Sequence, residues 1–154
     1  MPAATPRKRV IGGANAEGLP FSEAIRLGNL VFASGMVGFD DSGKIVRGGI
    51  GAETRQTFAN IEKVLKQAGC GLADIVKVSV VLADPADFDA YNEVYRTIFT
   101  HEPPARVTIA GQLTIDARLE VDVIAGVGAG GAKRSSARRK PPRRARKAAR
   151  RARR

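Results

Sequence analysis

The sequence predicts an α+β fold, a mixed β-sheet with two helices packed on one of its faces. Three observations predict it. The chain of 154 residues, 44% hydrophobic, is enough for one domain around one core. Short runs alternating with the period of a strand are interleaved with two longer runs at helical spacing. The resulting order is strand, hairpin, helix, strand, helix, strand, strand, and helices interleaved with hairpin-linked strands form such a sandwich. One face of that sheet is left without a cover, and a partner subunit is the economical way to bury it.

A first strand falls near Lys8 to Ile11, followed by a loop from Gly12-Gly13 to Pro20. Ser22 to Leu27 and Leu30 to Ala33 flank Gly28-Asn29, a pair suited to the left-handed angles of a hairpin turn, and Ser34-Gly35 closes the second strand. Asp40 to Lys44 is a polar turn before Ile45 to Arg47. From about Ala52 to Ala68, Phe58, Ile61, Val64, Leu65 and Ala68 recur at helical spacing, and Gly69 stands where a left-handed C-terminal cap belongs. Ile75 to Leu82 is β-branched and nearly continuous in apolarity, as a central strand is. Asp84-Pro85 supplies an N-cap and a first-turn proline for a second helix, whose buried stripe is Phe88, Tyr91, Tyr95, Ile98 and Phe99. Two charged strands complete the fold, one entered through Pro103-Pro104 and one running from Arg118 to Val123.

The net charge of +11 divides at Ala132. Residues 132–154 hold 13 Lys+Arg and no acid, which leaves the body with 13 bases against 15 acids, a charge of −2. The expected organisation is therefore a folded body over 1–125, a glycine-rich linker over 126–131 and a basic tail over 132–154. The tail has only Ala as apolar filler, too little to offset its ordering entropy. A tail of this kind binds polyanions through counterion release without reading sequence, so non-specific nucleic-acid contact through 132–154 is one expectation.

The single cysteine, Cys70, excludes an internal disulfide and any zinc site built on several thiolates, and no metal site is expected. No apolar run reaches the length of a membrane span, and the opening MPAATPRKRV lacks the apolar segment of a secretory signal. The expected location is the cytoplasm, with no membrane contact. Gly48, Gly49 and Gly51 form neither a GxGxxG nor a P-loop pattern, so nucleotide binding has no signal. His101, the one histidine, stands in the loop before Pro103.

The candidate chemistry lies in the last two strands. Arg106 and Thr108 share one strand face, as do Arg118, Glu120 and Asp122. The prolines hold Arg106 at the mouth of its strand, where a guanidinium is a fork for a carboxylate, while a carboxylate on a neighbouring strand can handle water. From these residues alone Arg106 also reads as a structural ion-pair partner of Glu120 or Asp122.

Pro20-Phe21-Ser22-Glu23-Ala24, Ser34-Gly35, Thr54-Arg55-Gln56-Thr57, Asn92, Pro104-Ala105-Arg106 and Glu120-Val121-Asp122-Val123 together resemble the RidA (YjgF) family of reactive-intermediate deaminases. The likeness runs from about Val10 to Ala125. It implies a chorismate-mutase-like fold assembled as a homotrimer, with sheets facing inward as a central barrel and substrate clefts between subunits. It further implies hydrolysis of enamines and imines, such as 2-aminoacrylate and 2-iminopropanoate, to 2-keto acids and ammonia without cofactor or metal. By the resemblance Arg106 binds the substrate carboxylate, Glu120 positions water, Ser34 and Gly35 line the cleft, and Asn92 sits near it. Two positions depart from the family pattern: Phe21 replaces a common tyrosine, and Thr108 replaces a cysteine found in many members. Some members are associated with RNA cleavage or translational inhibition, so the second expectation is a nucleic-acid-associated protein with little deaminase activity.

Overall fold

The computed structural model describes residues 5–14 and 18–131. The basic tail, and with it the expectation of nucleic-acid contact, lies outside the described residues. The elements follow the expected order: β1 (Lys8–Ala14), β2 (Ser22–Leu27), β3 (Leu30–Met36), α1 (Gly49–Gln67), β4 (Ile75–Leu82), α2 (Phe88–Ile98), β5 (Ala105–Ala110) and β6 (Leu119–Gly126). The six strands form one sheet in the order β1-β2-β3-β6-β4-β5. Every pairing is antiparallel except β4 with β5, which α2 joins as a crossover and so must run parallel.

Local chemistry accounts for the boundaries. In the β2-β3 hairpin only Gly28 takes a positive φ, 61°, so the left-handed angle falls on one turn residue and not on Asn29. Helix α1 ends in a Schellman motif: Gly69 (φ 81°) donates its N–H to Lys66 O and Cys70 donates to Leu65 O. Asp84 accepts the Ala86 N–H at 2.9 Å, but the turn that it caps, Pro85–Asp87, is a 3₁₀ turn that leads into α2. Ser34 and Gly35 do not end β3. They form an irregularity inside it, where the register against β6 shifts between Ala33 and Met36.

The core fills one face of the sheet. Val31, Val78, Val80, Leu119, Val121, Val123 and Ala125 point from the strands at Phe58, Ile61 and Leu65 of α1 and at Tyr91 and Tyr95 of α2, in one continuous cluster. Both helices therefore cover the same face, and each fully buried large side chain contributes about 1.5–3 kcal/mol. Phe88, expected in the buried stripe, is exposed, and Val94 is buried instead. The opposite face carries a row across the strands, Val10, Ile25, Phe32 and Ile124, and further along Val107 and Ile109; nothing in the chain covers them.

The glycine-rich segment after β6 is tied to the body where a free linker was expected. Val127 donates its N–H to Asn29 O, and Gly130 donates to the Asp74 carboxylate at 2.8 Å, close against Ala73.

Candidate active site

Arg106 pairs with Val78 across β4-β5, and because Val78 is fully buried both point to the helix side. There α2 receives the guanidinium. Its Nη2 donates to Asn92 Oδ1 at 2.8 Å, and its Cζ lies 4.5 Å from the Tyr95 ring centroid and 5.3 Å from that of Tyr91. Residues 91, 92 and 95 fall on neighbouring positions of one helical face, so a single turn of α2 supplies two aromatic walls and an amide acceptor. Among the described residues Arg106 forms no ion pair. Its charge is stacked and oriented but not neutralised, and donors of the fork remain for an anion.

Three buried polar atoms in this cluster lack a protein partner: Tyr91 Oη, Tyr95 Oη and Thr108 Oγ1. Burial pushes both phenols up from their ordinary value, and the Arg106 charge pulls them part of the way back. Thr108 pairs with Val80 and so lies on the same side of β5 as Arg106.

Glu120 points the other way. Along β6, Leu119, Val121 and Val123 are buried in the core while Glu120 and Asp122 alternate onto the opposite face, and Glu120 pairs with Val81 of β4. Its carboxylate rests directly on the Gly35 backbone, where a Cβ would overlap it, so residue 35 must be glycine for Glu120 to hold this position. Ser34 donates its hydroxyl to Ser22 O at 2.7 Å, which leaves its oxygen lone pairs available to accept. Phe21, Ser34, Gly35 and Glu120 line one cavity of about 790 Å³.

The sequence-derived residues thus gather into two groups. Arg106, Asn92 and Thr108 come together under α2, and Phe21, Ser34, Gly35 and Glu120 come together on the far side. The expectation that Arg106 and a carboxylate on the neighbouring strand would face one substrate within one chain does not hold. The crossover through α2 puts β4 between β5 and β6, and the register sends the two side chains to opposite faces. The same geometry removes an ion pair of Arg106 with Glu120 or Asp122.

Arg118 stands just ahead of β6 and not on its face with Glu120. Its guanidinium pairs with Asp87 at 3.0 Å, and its backbone N–H donates to Glu53 Oε2 at 2.8 Å. Glu53, only 5% exposed, had gone unnoticed in the sequence. Its one signal was a glutamate at the spacing of the buried stripe that includes Ile50, Thr57 and Phe58. Cys70 is buried, with its thiol pushed up by desolvation, which makes it a poor nucleophile. His101 is exposed and borders a different cavity, of about 540 Å³, beside Phe99, Glu102 and Ala129. Among the described residues no three His, Cys, Asp or Glu gather as metal ligands, and no helix is long and apolar enough to cross a membrane.

Comparison with known proteins gives a consistent set of likenesses. The family described as Endoribonuclease L-PSP matches residues 14–127. The human 2-iminobutanoate/2-iminopropanoate deaminase is 37% identical over 122 residues, which cover 77% of this chain and 89% of the human protein. Among solved structures, yeast Mmf1 superposes with a TM-score of 0.73 at 31% identity, covering 78% of this chain and 98% of its own. RidA from an Antarctic Psychrobacter superposes with a TM-score of 0.67 at 33% identity, covering 70% and 88%.

Proposed function

The chain belongs to the RidA (Endoribonuclease L-PSP) family, and from that premise we propose that it is a hydrolytic deaminase of reactive enamine and imine intermediates carrying a carboxylate. The observation that carries this reading is the state of Arg106, a guanidinium stacked on two tyrosines and steadied by Asn92, with no carboxylate of its own. A half-buried cation that is held in place and left without a counter-ion is a receptor for an anion.

In this mechanism Arg106 grips the substrate carboxylate with parallel hydrogen bonds and thereby fixes the imine carbon. Glu120 holds a water, takes one of its protons as the oxygen attacks that carbon, and returns it to nitrogen. The C–N bond of the resulting carbinolamine breaks, and ammonia and a 2-keto acid leave. An enamine enters as its imine tautomer. Ser34 accepts a hydrogen bond from the substrate, and Gly35 lets Glu120 lie close.

Because Arg106 and Glu120 face opposite sides of the sheet, the working site draws Arg106 from one copy of the chain and the Glu120 group from another. The bare apolar rows around Phe32, Val107 and Ile109 support such an assembly, since a face of that kind is stable only when covered. The family likeness makes the assembly a homotrimer with sheets inward and three inter-subunit sites. Residues 132–154, with 13 bases and no acids, add non-specific contact with nucleic acid to this reading without touching the site. The test is a coupled assay in which an oxidase generates 2-iminopropanoate and pyruvate formation is timed with and without this protein. A rate unchanged by its addition, in this assay and with bulkier imines, rejects the deaminase reading.

A further inference from the structure

Four large apolar side chains stand exposed around the cavity that holds Glu120: Leu19 (46%), Phe21 (49%), Phe39 (38%) and Ile115 (40%). They come from three separate loops, the one before β2, the one after β3 and the one before β6. Each loop is pinned by its own backbone hydrogen bonds, Phe21 N–H to Leu19 O, Phe39 N–H to Val37 O and Ala117 N–H to Ile115 O. The Asn60 side-chain amide also donates to Val37 O and Phe39 O. The apolar walls are therefore formed in advance, and binding against them costs little ordering.

The charges lining the same cavity are already engaged. Lys63 pairs with Asp41 at 3.2 Å, Asp40 accepts from Ser42 and from the Lys44 N–H, and the Glu23 carboxylate lies over Gly12. At about 790 Å³ the space is much larger than a three- or four-carbon imino acid fills.

We infer, resting on the deaminase reading above, that this cavity is a side-chain subsite and that the preferred substrates are 2-imino acids with bulky apolar side chains, branched aliphatic or aromatic. With the carboxylate on Arg106 and the imine carbon at Glu120, the side chain extends among Phe21, Phe39 and Ile115. The four residues lie in loops at the cavity mouth and not in the apolar rows of the open sheet face, which separates this surface from the one that the assembly covers.

The experiment uses the full chain in two measurements. Calorimetry compares three stable keto acids, pyruvate, 4-methyl-2-oxopentanoate and phenylpyruvate, and the coupled assay compares imines generated from alanine, leucine and phenylalanine. The bulky members are expected to bind and to turn over better by about tenfold or more, the discrimination that added hydrocarbon gives in an apolar pocket. Ile115→Ser and Phe39→Ser should bring that ratio down toward one. Equal affinity for the three keto acids overturns the inference. So do variants that change the oligomer mass and leave the ratio untouched, since the rim would then be a subunit contact. Selective binding of phenylpyruvate without turnover of any imine upholds the subsite and removes the deaminase reading; turnover without side-chain preference removes the subsite alone.

Discussion

Replacing Arg106 by lysine separates a ligand-binding arginine from a structural one. Lysine keeps the charge and most of the stem but presents a point ammonium in place of a planar fork, so it cannot hold a carboxylate with two parallel bonds. If the substrate is gripped there, losing one charge-assisted hydrogen bond costs about 1.5–3 kcal/mol. That corresponds to about one to two orders of magnitude in kcat/KM. The structure also sets the cost to folding. Arg106 contributes one hydrogen bond to Asn92 and stacking on Tyr95 and Tyr91, and it has no ion pair among the described residues. A hydrogen bond of that kind is worth about 0.5–1.5 kcal/mol. The cation–π contact is worth about 0.5–2 kcal/mol. Lysine retains part of each, so the fold should survive with a modest drop in its urea midpoint. The assay is oxidase-coupled hydrolysis of the imine, with circular dichroism and light scattering confirming fold and assembly. Turnover close to that of the unaltered protein, with folding intact, would remove Arg106 from the site and the mechanism with it.

Tyr91 and Tyr95 are the only two tyrosines, and the chain has no tryptophan, so absorbance at 295 nm reports this cluster alone. Their folded pKa values are raised, so the stability they contribute is full below the unfolded value of about 10. It is lost as pH climbs past that value toward the folded one, so tyrosinate should appear only as the protein unfolds, and reversible ionisation near pH 10 with the fold intact would refute this. Glu53→Ala strands the buried Arg118 N–H and should cost about 1–3 kcal/mol in urea unfolding, whereas Glu53→Gln keeps an acceptor and should cost clearly less; equal losses would discard the bond as the cause. A chain ending at Gly131 should keep the trimer mass by light scattering and lose the steeply salt-dependent nucleic-acid affinity expected of the full chain. A monomer mass would contradict the assembly, and undiminished binding would place the basic surface elsewhere.

The order of elements was legible because each boundary is written in local chemistry. Gly28 turns the hairpin, Gly69 caps α1, and Asp84-Pro85 starts the turn into α2; each acts through its own backbone angles or hydrogen bonds, which neighbouring residues alone determine. Alternation along β6 likewise told that Glu120 and Asp122 share a face, since a strand turns successive side chains to opposite sides. Nothing local told which face that was relative to Arg106. That depends on β5 pairing parallel to β4, on β6 pairing antiparallel to β4 on its other side, and on the register of both ladders, all of them set by contacts between residues far apart in the chain. The same limit hid Glu53, whose burial follows from the approach of β6, and the rim of Leu19, Phe39 and Ile115, which three loops make only once the sheet has formed. The sequence by itself determined the parts of the site, through residue type and local pattern. The tertiary structure alone decided that they lie on two sides of one sheet, because strand order and register are properties of pairing and not of any single strand.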